Sequence, residues 1–191
     1  MARKRTGDIF DPARERDACG IGFVADVEGR ASHFILETAV YSLCRVRHRG
    51  ALDADAKTGD GAGILTSLPV DFFAAEAARM GTPADPDFIG VAMTFVWNEG
   101  HRPVIEEACR WEGIEVIGWR TVPIDPETLG DRAKATQPII EQALVLKPIG
   151  VDAAEAERRC VRARKRAEKA CAEVGIRVYF PSFSFSTITY K

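Results

Sequence analysis

Segments in which hydrophobic residues recur at helical spacing alternate along this chain with short segments typical of strands. Apolar residues at helical spacing predict four helices: one capped by Ser32 and running to about Arg47, one over 69–80, one over 102–112, and one capped by Asp152 and running to about Val174. Short apolar and β-branched runs predict strands at 20–27, 64–68, 88–97, 114–122, 138–147, 176–180 and 183–190. The first helix is expected to bury its apolar face.

This alternation of helices and strands leaves two fold classes open. A parallel, doubly wound sheet and an α+β fold with antiparallel sheets both produce it, and hydrophobic periodicity does not separate them. The length of 191 residues is that of a single domain with a sizeable core. No repeat, low-complexity tract or linker divides the sequence.

Composition and charge narrow the function classes. The chain is 46% hydrophobic and has a formal net charge of −2, which is ordinary for a globular protein. Neither value indicates a nucleic-acid partner, and no apolar run reaches the length of a membrane span. The basic start, residues 1–5, is not followed by the apolar segment of a signal peptide. We therefore expect a cytoplasmic protein with no membrane and no nucleic-acid partner.

The predicted last helix carries a basic cluster that would attract an anionic partner. Its members are Arg158, Arg159, Arg162, Arg164, Lys165, Arg166 and Lys169. Acidic residues at 155, 157, 168 and 173 interrupt the run, and no aromatic residue lies between the basic ones. A solvated helix face is the favoured interpretation, and a docking surface for other domains is the alternative.

The cysteines form neither a disulfide pattern nor a metal-binding pattern. There are five, an odd number, and no two are spaced C-x-x-C. Because the chain has only three histidines as well, we expect no metal site and no cofactor in it. Cys19 differs from the other four, since Gly20 and Gly22 beside it leave little side chain to pack against and allow close approach. Its place between a charged leader and a small apolar run indicates a nucleophile.

Three sequence blocks carry a resemblance to a known family. They are Asp17-Ala18-Cys19-Gly20-Ile21-Gly22-Phe23, His48-Arg49-Gly50-Ala51 and Thr58-Gly59-Asp60-Gly61-Ala62-Gly63. In this order and spacing they resemble the class II, N-terminal-nucleophile glutamine amidotransferase domain of glutamate synthases, from about Glu15 to the last residue. The resemblance implies an α+β fold, the N-terminal-nucleophile hydrolase four-layer α/β/β/α sandwich with mostly antiparallel sheets, here as a partial domain.

The resemblance also implies a leader, residues 1–18, followed by a catalytic domain, residues 19–191. Removal of the leader would give Cys19 a free α-amino group, whose pKa of about 7.7–8.0 lets it act as general base for the thiol. The thiolate would attack the side-chain amide of glutamine, ammonia would leave, and water would release glutamate from the thioester. In glutamate synthases this ammonia serves to form glutamate from 2-oxoglutarate.

The other two blocks would support the nucleophile and bind the substrate. Arg49 is expected to hold the nucleophile loop, because its planar guanidinium donates to several carbonyls at once, and Gly50 is expected to end the helix. Asp60 and Gly61 are expected to lie in a tight loop along the glutamine pocket, with Asp60 as a polar contact.

Nucleotide binding is not favoured by either glycine-rich block. The block 58–63 lacks the Gly-Lys-Ser/Thr ending of a P-loop, and a strand rather than a helix follows it. The Gly20-x-Gly22 spacing follows a charged leader, whereas a dinucleotide fingerprint follows a strand.

Related domains use two segments that this sequence does not contain. An R-Y-S-T-like block would bind the substrate carboxylate, and an H-N-G block would form the oxyanion hole, whose loss typically costs about 10²–10³ in rate. Asn98, the only asparagine, is followed by Glu99 rather than glycine. FMN and an iron–sulfur cluster are implied for the remaining glutamate synthase domains or subunits, which would be partners alongside glutamine. We expect the isolated chain to be a weak glutaminase.

Two alternatives stay open. A non-catalytic fragment or partner-binding module would need a second chain to complete the active site. Another N-terminal-nucleophile amidohydrolase would act on a different amide. Leader removal and thiol reactivity separate the first alternative from the glutaminase, and amide specificity separates the second.

Overall fold

The computed structural model of the protein describes residues 20–46, 50, 54–55, 57–59 and 61–191. The chain divides into two compact units, Met1–Ala51 and Leu52–Lys191. The predicted leader, residues 1–18, lies outside the described residues, so its removal stays a prediction.

In the first unit the predicted helix is confirmed and the predicted strand is wrong. Helix α1 spans His33–Arg45, and the Ser32 hydroxyl accepts a hydrogen bond of 3.2 Å from the Phe34 amide, as its N-cap role requires. Residues 20–27 form no strand. A strand needs a neighbour for its backbone hydrogen bonds, and no described residue of this unit provides one.

The apolar face of α1 is not buried, contrary to the prediction. No residue of this helix is buried, and Leu36 and Val40 of the predicted face are 37% and 45% exposed. The described residues of the first unit contain no second helix or strand. Among the described residues of its own unit, α1 therefore has no regular element to pack against.

The second unit contains the strands and the other helices. Its strands are β1 Ile64–Ser67, β2 Ile89–Val96, β3 Glu115–Thr121, β4 Ile139–Leu146, β5 Val178–Ser184 and β6 Thr187–Tyr190. Its helices are α2 Val70–Arg79, α3 His101–Trp111, α4 Asp131–Ala135 and α5 Ala153–Glu173. Helix α4 was not predicted because its five residues are too short to display a helical period.

All strand pairs among the described residues of the second unit are antiparallel. Four strands form one sheet in the order β3-β4-β2-β5, and β1 pairs with β6 in a second sheet of two strands. The predicted α+β class with antiparallel sheets is confirmed, and the parallel doubly wound alternative does not apply to the described residues.

The four-stranded sheet is covered on both faces. Helices α3 and α5 lie on one face, where α5 buries a stripe of small residues: Ala156, Cys160, Ala163, Ala167 and Cys171. Small side chains allow a helix to approach a sheet closely. On the other face, Phe73 of α2 and Ile188 of β6 are completely buried against β2 and β4. This second cluster connects the main sheet to the β1–β6 pair.

The division between the last two strands differs from the prediction. The sequence predicted a break near residues 181–182, whereas β5 continues through Pro181 and the turn lies at Phe185-Ser186. The pairing of β5 with β2 shifts register between Met93 and Phe95, which is the mark of a β-bulge. Because β5 is an edge strand with a bulge, it accepts a proline that a central strand would not.

The basic residues of α5 are paired with acidic ones. The N-cap Asp152 accepts a 2.7 Å hydrogen bond from the Glu155 amide, as predicted. Each of the seven basic residues between 158 and 169 lies within 4.0 Å of a carboxylate of Glu112, Glu155, Glu168 or Glu173. This pairing supports the solvated face rather than an anion-binding surface.

Candidate active site

The glycine loop (residues 58–63, of which 58, 59 and 61–63 are described) begins at a carboxylate that fixes its first turn. Asp55 Oδ1 accepts hydrogen bonds from the amides of Lys57 and Thr58 at 3.0 and 2.6 Å, and its Oδ2 accepts one from the Thr58 hydroxyl at 2.5 Å. The Thr58 hydroxyl, followed by the two amides, lowers the pKa of Asp55 to about 2. The carboxylate that shapes this turn is therefore ionised at neutral pH.

The connection between β3 and β4 lies against this turn. A Cβ atom placed on the buried Gly130 would collide with the side chains of Thr58 and Asp55 and with the Thr58 amide. The Lys57 ammonium donates a 2.8 Å hydrogen bond to the Glu127 carbonyl in the same connection. Gly130 is thus a glycine because the glycine loop approaches its backbone closely.

The other end of the glycine loop meets the last strand. Gly63 precedes β1, and a Cβ atom at this position would lie 2.9 Å from the Tyr190 carbonyl oxygen. A side chain there would have to move backbone. Gly61 is different, because a Cβ at this exposed position would meet only the Lys191 side chain at 3.9 Å.

A polar network that sequence reasoning did not predict lies beneath β6. The Arg120 guanidinium donates to Glu76 Oε2 and to Gln142 Oε1, both at 2.8 Å. Burial raises the pKa of Tyr190, while Arg120 and the Gln142 amide act in the opposite direction. These residues come from four elements far apart in the sequence, so no local motif marks them. They support the strand beside Gly63.

Three of the four described thiols are unsuited to nucleophilic attack. Cys109, Cys160 and Cys171 are buried. Burial raises the pKa of Cys109 to about 12 and raises the pKa values of the other two thiols as well. Cys44, on α1, is exposed. A thiol-directed reagent would therefore have to be tested against Cys44 as well as Cys19.

The predicted site residues are only partly within the described chain. Gly50 is exposed in the first unit and does not end helix α1 as predicted, because that helix stops at Arg45 with Val46 as its C-cap. Gly61 is exposed in the second unit. Cys19, Arg49 and Asp60 lie outside the described residues, so their roles stay predictions. What the structure does define is how the glycine loop is held, by Asp55 and Gly130 at one end and by β6 at the other.

The described residues contain neither a cluster of metal ligands nor a membrane-spanning helix. There, no group of three or more histidine, cysteine, aspartate or glutamate side chains is arranged to hold a metal ion. Nor does that part of the chain contain a helix long and apolar enough to cross a membrane.

Comparison with known proteins gives one family. Residues 19–191 match the model of the class-II glutamine amidotransferases. A ferredoxin-dependent glutamate synthase 2 from Synechocystis is 41% identical over 183 residues, which cover 93% of this chain and 12% of that protein. The large chain of an NADPH glutamate synthase from Azospirillum brasilense is 36% identical over 193 residues, 97% of this chain and 13% of that protein.

A plant relative matches the chain with similar identity and coverage. The chloroplastic ferredoxin-dependent glutamate synthase 2 from Arabidopsis thaliana is 38% identical over 193 residues, covering 96% of this chain and 12% of that protein. The chain thus spans about an eighth of the length of these curated relatives.

Proposed function

The chain belongs to the class-II glutamine amidotransferases, and we propose that it is the glutamine-hydrolysing part of a glutamate synthase. The observation that carries the proposal is that the family match begins at residue 19, the cysteine that sequence reasoning selected as nucleophile, and continues to residue 191. The three glutamate synthases named above, which use different electron donors, match this same region at 36–41% identity.

In this proposal Cys19 is the nucleophile and its own α-amino group is the base. Removal of residues 1–18 would expose that amine, which takes the thiol proton as the sulfur attacks the glutamine amide carbon. The proton is then delivered to the departing ammonia, and water hydrolyses the thioester to glutamate. Arg49 would hold the nucleophile loop.

The glycine loop would line the glutamine pocket. Its two ends are fixed by the Asp55 carboxylate and by the close approach of Gly63 to Tyr190. Loops fixed at both ends hold a substrate with little loss of entropy on binding, which favours catalysis. Asp60 would then supply a polar contact and Gly61 an open position beside the substrate.

The rest of the reaction would take place outside this chain. Ammonia released here would be used to form glutamate from 2-oxoglutarate in the remaining domains or subunits of a glutamate synthase. FMN and an iron–sulfur cluster would belong to those parts, with ferredoxin or NADPH as electron donor. A cytoplasmic location remains our proposal for the assembled enzyme.

The test is the intact mass of the expressed chain before and after treatment with a glutamine-analogue diazo-ketone. The Cys44→Ser background removes the exposed competing thiol. We expect loss of residues 1–18 and one adduct, formed when the Cys19 sulfur displaces nitrogen from the reagent. The matched control is Cys19→Ser in the same background, which should take no adduct.

Two outcomes would contradict the proposal. An unprocessed chain without adduct would favour the non-catalytic fragment that needs a second chain. Processing with an adduct that excess glutamine does not suppress, while another amide does, would favour a different amidohydrolase.

A further inference from the structure

The turn between β5 and β6 is held by a carboxylate from a distant helix. Glu157, on α5, accepts three hydrogen bonds at one oxygen, Oε1. The donors are the Ser184 hydroxyl at 2.9 Å, the Phe185 amide at 3.0 Å and the Ser186 hydroxyl at 3.0 Å. Hydrogen bonds to an ionised carboxylate are about twice as strong as those between neutral groups. One side chain therefore fixes three successive residues of the turn.

Further hydrogen bonds and a ring contact also fix this turn. The Ser184 hydroxyl oxygen accepts hydrogen bonds from the amides of Ser186 and Thr187 at 3.0 and 3.1 Å. A Cβ atom on Gly90, in β2, would collide with the Phe185 ring, so the ring lies directly over the glycine backbone. The turn is thus fixed to α5 by hydrogen bonds and to the main sheet by a ring contact.

The turn is connected to the glycine loop through the two-stranded sheet. The Ser186 carbonyl accepts a 2.8 Å hydrogen bond from the Leu68 amide, immediately after β1. From there β1 and β6 pair residue by residue, from Ser67 with Thr187 to Ile64 with Tyr190. At the far end of this ladder Gly63 lies against the Tyr190 carbonyl. A shift of the turn would therefore move the strand that fixes the end of the glycine loop.

Glu157 differs from the neighbouring acidic residues of its helix. Glu155, Glu168 and Glu173 pair with arginine or lysine side chains of α5 itself. Glu157 instead bonds a different element, 27–29 residues further along the chain. Its contacts therefore serve the placement of the turn rather than the stability of the helix.

We propose that Glu157 is a positioning residue, which sets the place of the glycine loop through the Ser184–Thr187 turn and the β1–β6 pair. The inference deepens the proposed function, because it takes the glycine loop to line the glutamine pocket. Glu157 itself need not contact substrate. Its effect would be on how well glutamine binds rather than on the reactivity of the Cys19 sulfur.

The first experiment measures hydrogen exchange by mass spectrometry on the full chain and does not depend on catalysis. In Glu157→Ala, we expect amides of residues 61–68 and 185–190 to exchange at least about tenfold faster, because the charged hydrogen bonds that close this segment are lost. Amides of β4 should keep their rates. Glu157→Gln keeps an acceptor oxygen, so its exchange rates should lie between those of the unsubstituted chain and those of Glu157→Ala. The matched control is Glu168→Ala on the same helix, which should change neither segment.

The second experiment measures the rate of Cys19 alkylation against diazo-ketone concentration in the Cys44→Ser background. We expect Glu157→Ala to raise the half-saturating concentration about tenfold while the maximal rate changes little, and Glu157→Gln to recover part of the loss. A purely structural loss would instead reduce the fraction of chain that reacts.

Each result bears on one proposal. Faster exchange at 185–190 with unchanged exchange at 61–68 would overturn the positioning role, and so would equal effects of Glu157→Ala and Glu168→Ala. An unchanged half-saturating concentration would overturn it as well. Failure of the unsubstituted chain to take any adduct would count against the proposed function, and the exchange data alone would then decide the role of Glu157.

Discussion

The core of the second unit and the glycine loop are held by different kinds of interaction. The core has apolar side chains on both faces of the four-stranded sheet, and many of them are completely buried. The glycine loop is exposed and depends on a few polar contacts, chiefly from Asp55 and the β6 strand. Loss of one core side chain should therefore affect the whole unit, whereas loss of one loop contact should affect the loop alone.

The largest effect is expected from a core truncation. Phe73→Ala removes a completely buried ring from the cluster between α2 and the sheet, and we expect the free energy of unfolding to fall by about 3–5 kcal/mol. Urea unfolding followed by circular dichroism measures it. Phe72→Ala is the matched control: its ring is 43% exposed, and we expect a loss of about 1 kcal/mol or less. Equal losses would show that the cluster is not packed as described.

The next effect should be local to the glycine loop. Gly63→Ala places a methyl group against the Tyr190 carbonyl, and relieving this overlap should cost about 1–3 kcal/mol. The cost should appear as faster hydrogen exchange in β1 and β6, with little change in β4. Gly61→Ala, whose methyl group meets only the flexible Lys191 side chain, should leave these exchange rates unchanged. Equal exchange rates in the two variants would contradict the close approach of Gly63 to the Tyr190 carbonyl.

A smaller effect concerns the pH range in which the Asp55 carboxylate holds the first turn of the glycine loop. The pKa of Asp55 is lowered from 3.8 to about 2, first of all by the Thr58 hydroxyl. Because the folded value is the lower one, the stabilisation is complete above about pH 4 and is lost as the pH falls towards 2. Thr58→Val should move the Asp55 titration midpoint, measured by carboxyl carbon NMR, upwards towards 3.8. A midpoint that stays near 2 would contradict the role of this hydroxyl.

The core was more predictable from the sequence than the loop. Strands such as Ile89–Val96 and Ile139–Leu146 were found within one residue of their ends, because long apolar runs reflect burial directly. The same reasoning failed at 20–27, where an apolar run has no pairing strand among the described residues of its unit. Apolar character predicts that a segment can be buried, and it does not say what will cover it.

The contacts that hold the loop could not be read from local patterns. The block 58–63 was recognised, but Gly130 and Glu157, which fix its surroundings, lie about 70 and 100 residues further along the chain. The same holds for buried His101, whose Nε2 lies 2.6 Å from Glu141 Oε2, with Arg102 on the same carboxylate. Such pairs arise from topology, and a single sequence carries no period or spacing that reveals them.

The smallest effect is expected where charged contacts are exposed and interchangeable. Lys169 lies 3.8 Å from Glu173 on α5, and both side chains face solvent. We expect Lys169→Ala to change the free energy of unfolding by about 0.5 kcal/mol or less, since water competes with the pair and the side chains lose entropy in forming it.

Urea unfolding at low and high salt measures this effect. Hydrogen exchange of Glu157→Ala at the same two salt concentrations provides the comparison on the same helix. Salt should reduce the small effect of Lys169→Ala further, because exposed charges are screened. It should leave the hydrogen-exchange effect of Glu157→Ala largely in place, since Glu157 acts through direct hydrogen bonds of 2.9 and 3.0 Å to a partly buried turn. If the two substitutions respond to salt alike, the charge of Glu157 is only another solvated charge, and the glycine loop is held by the β1–β6 pair without it.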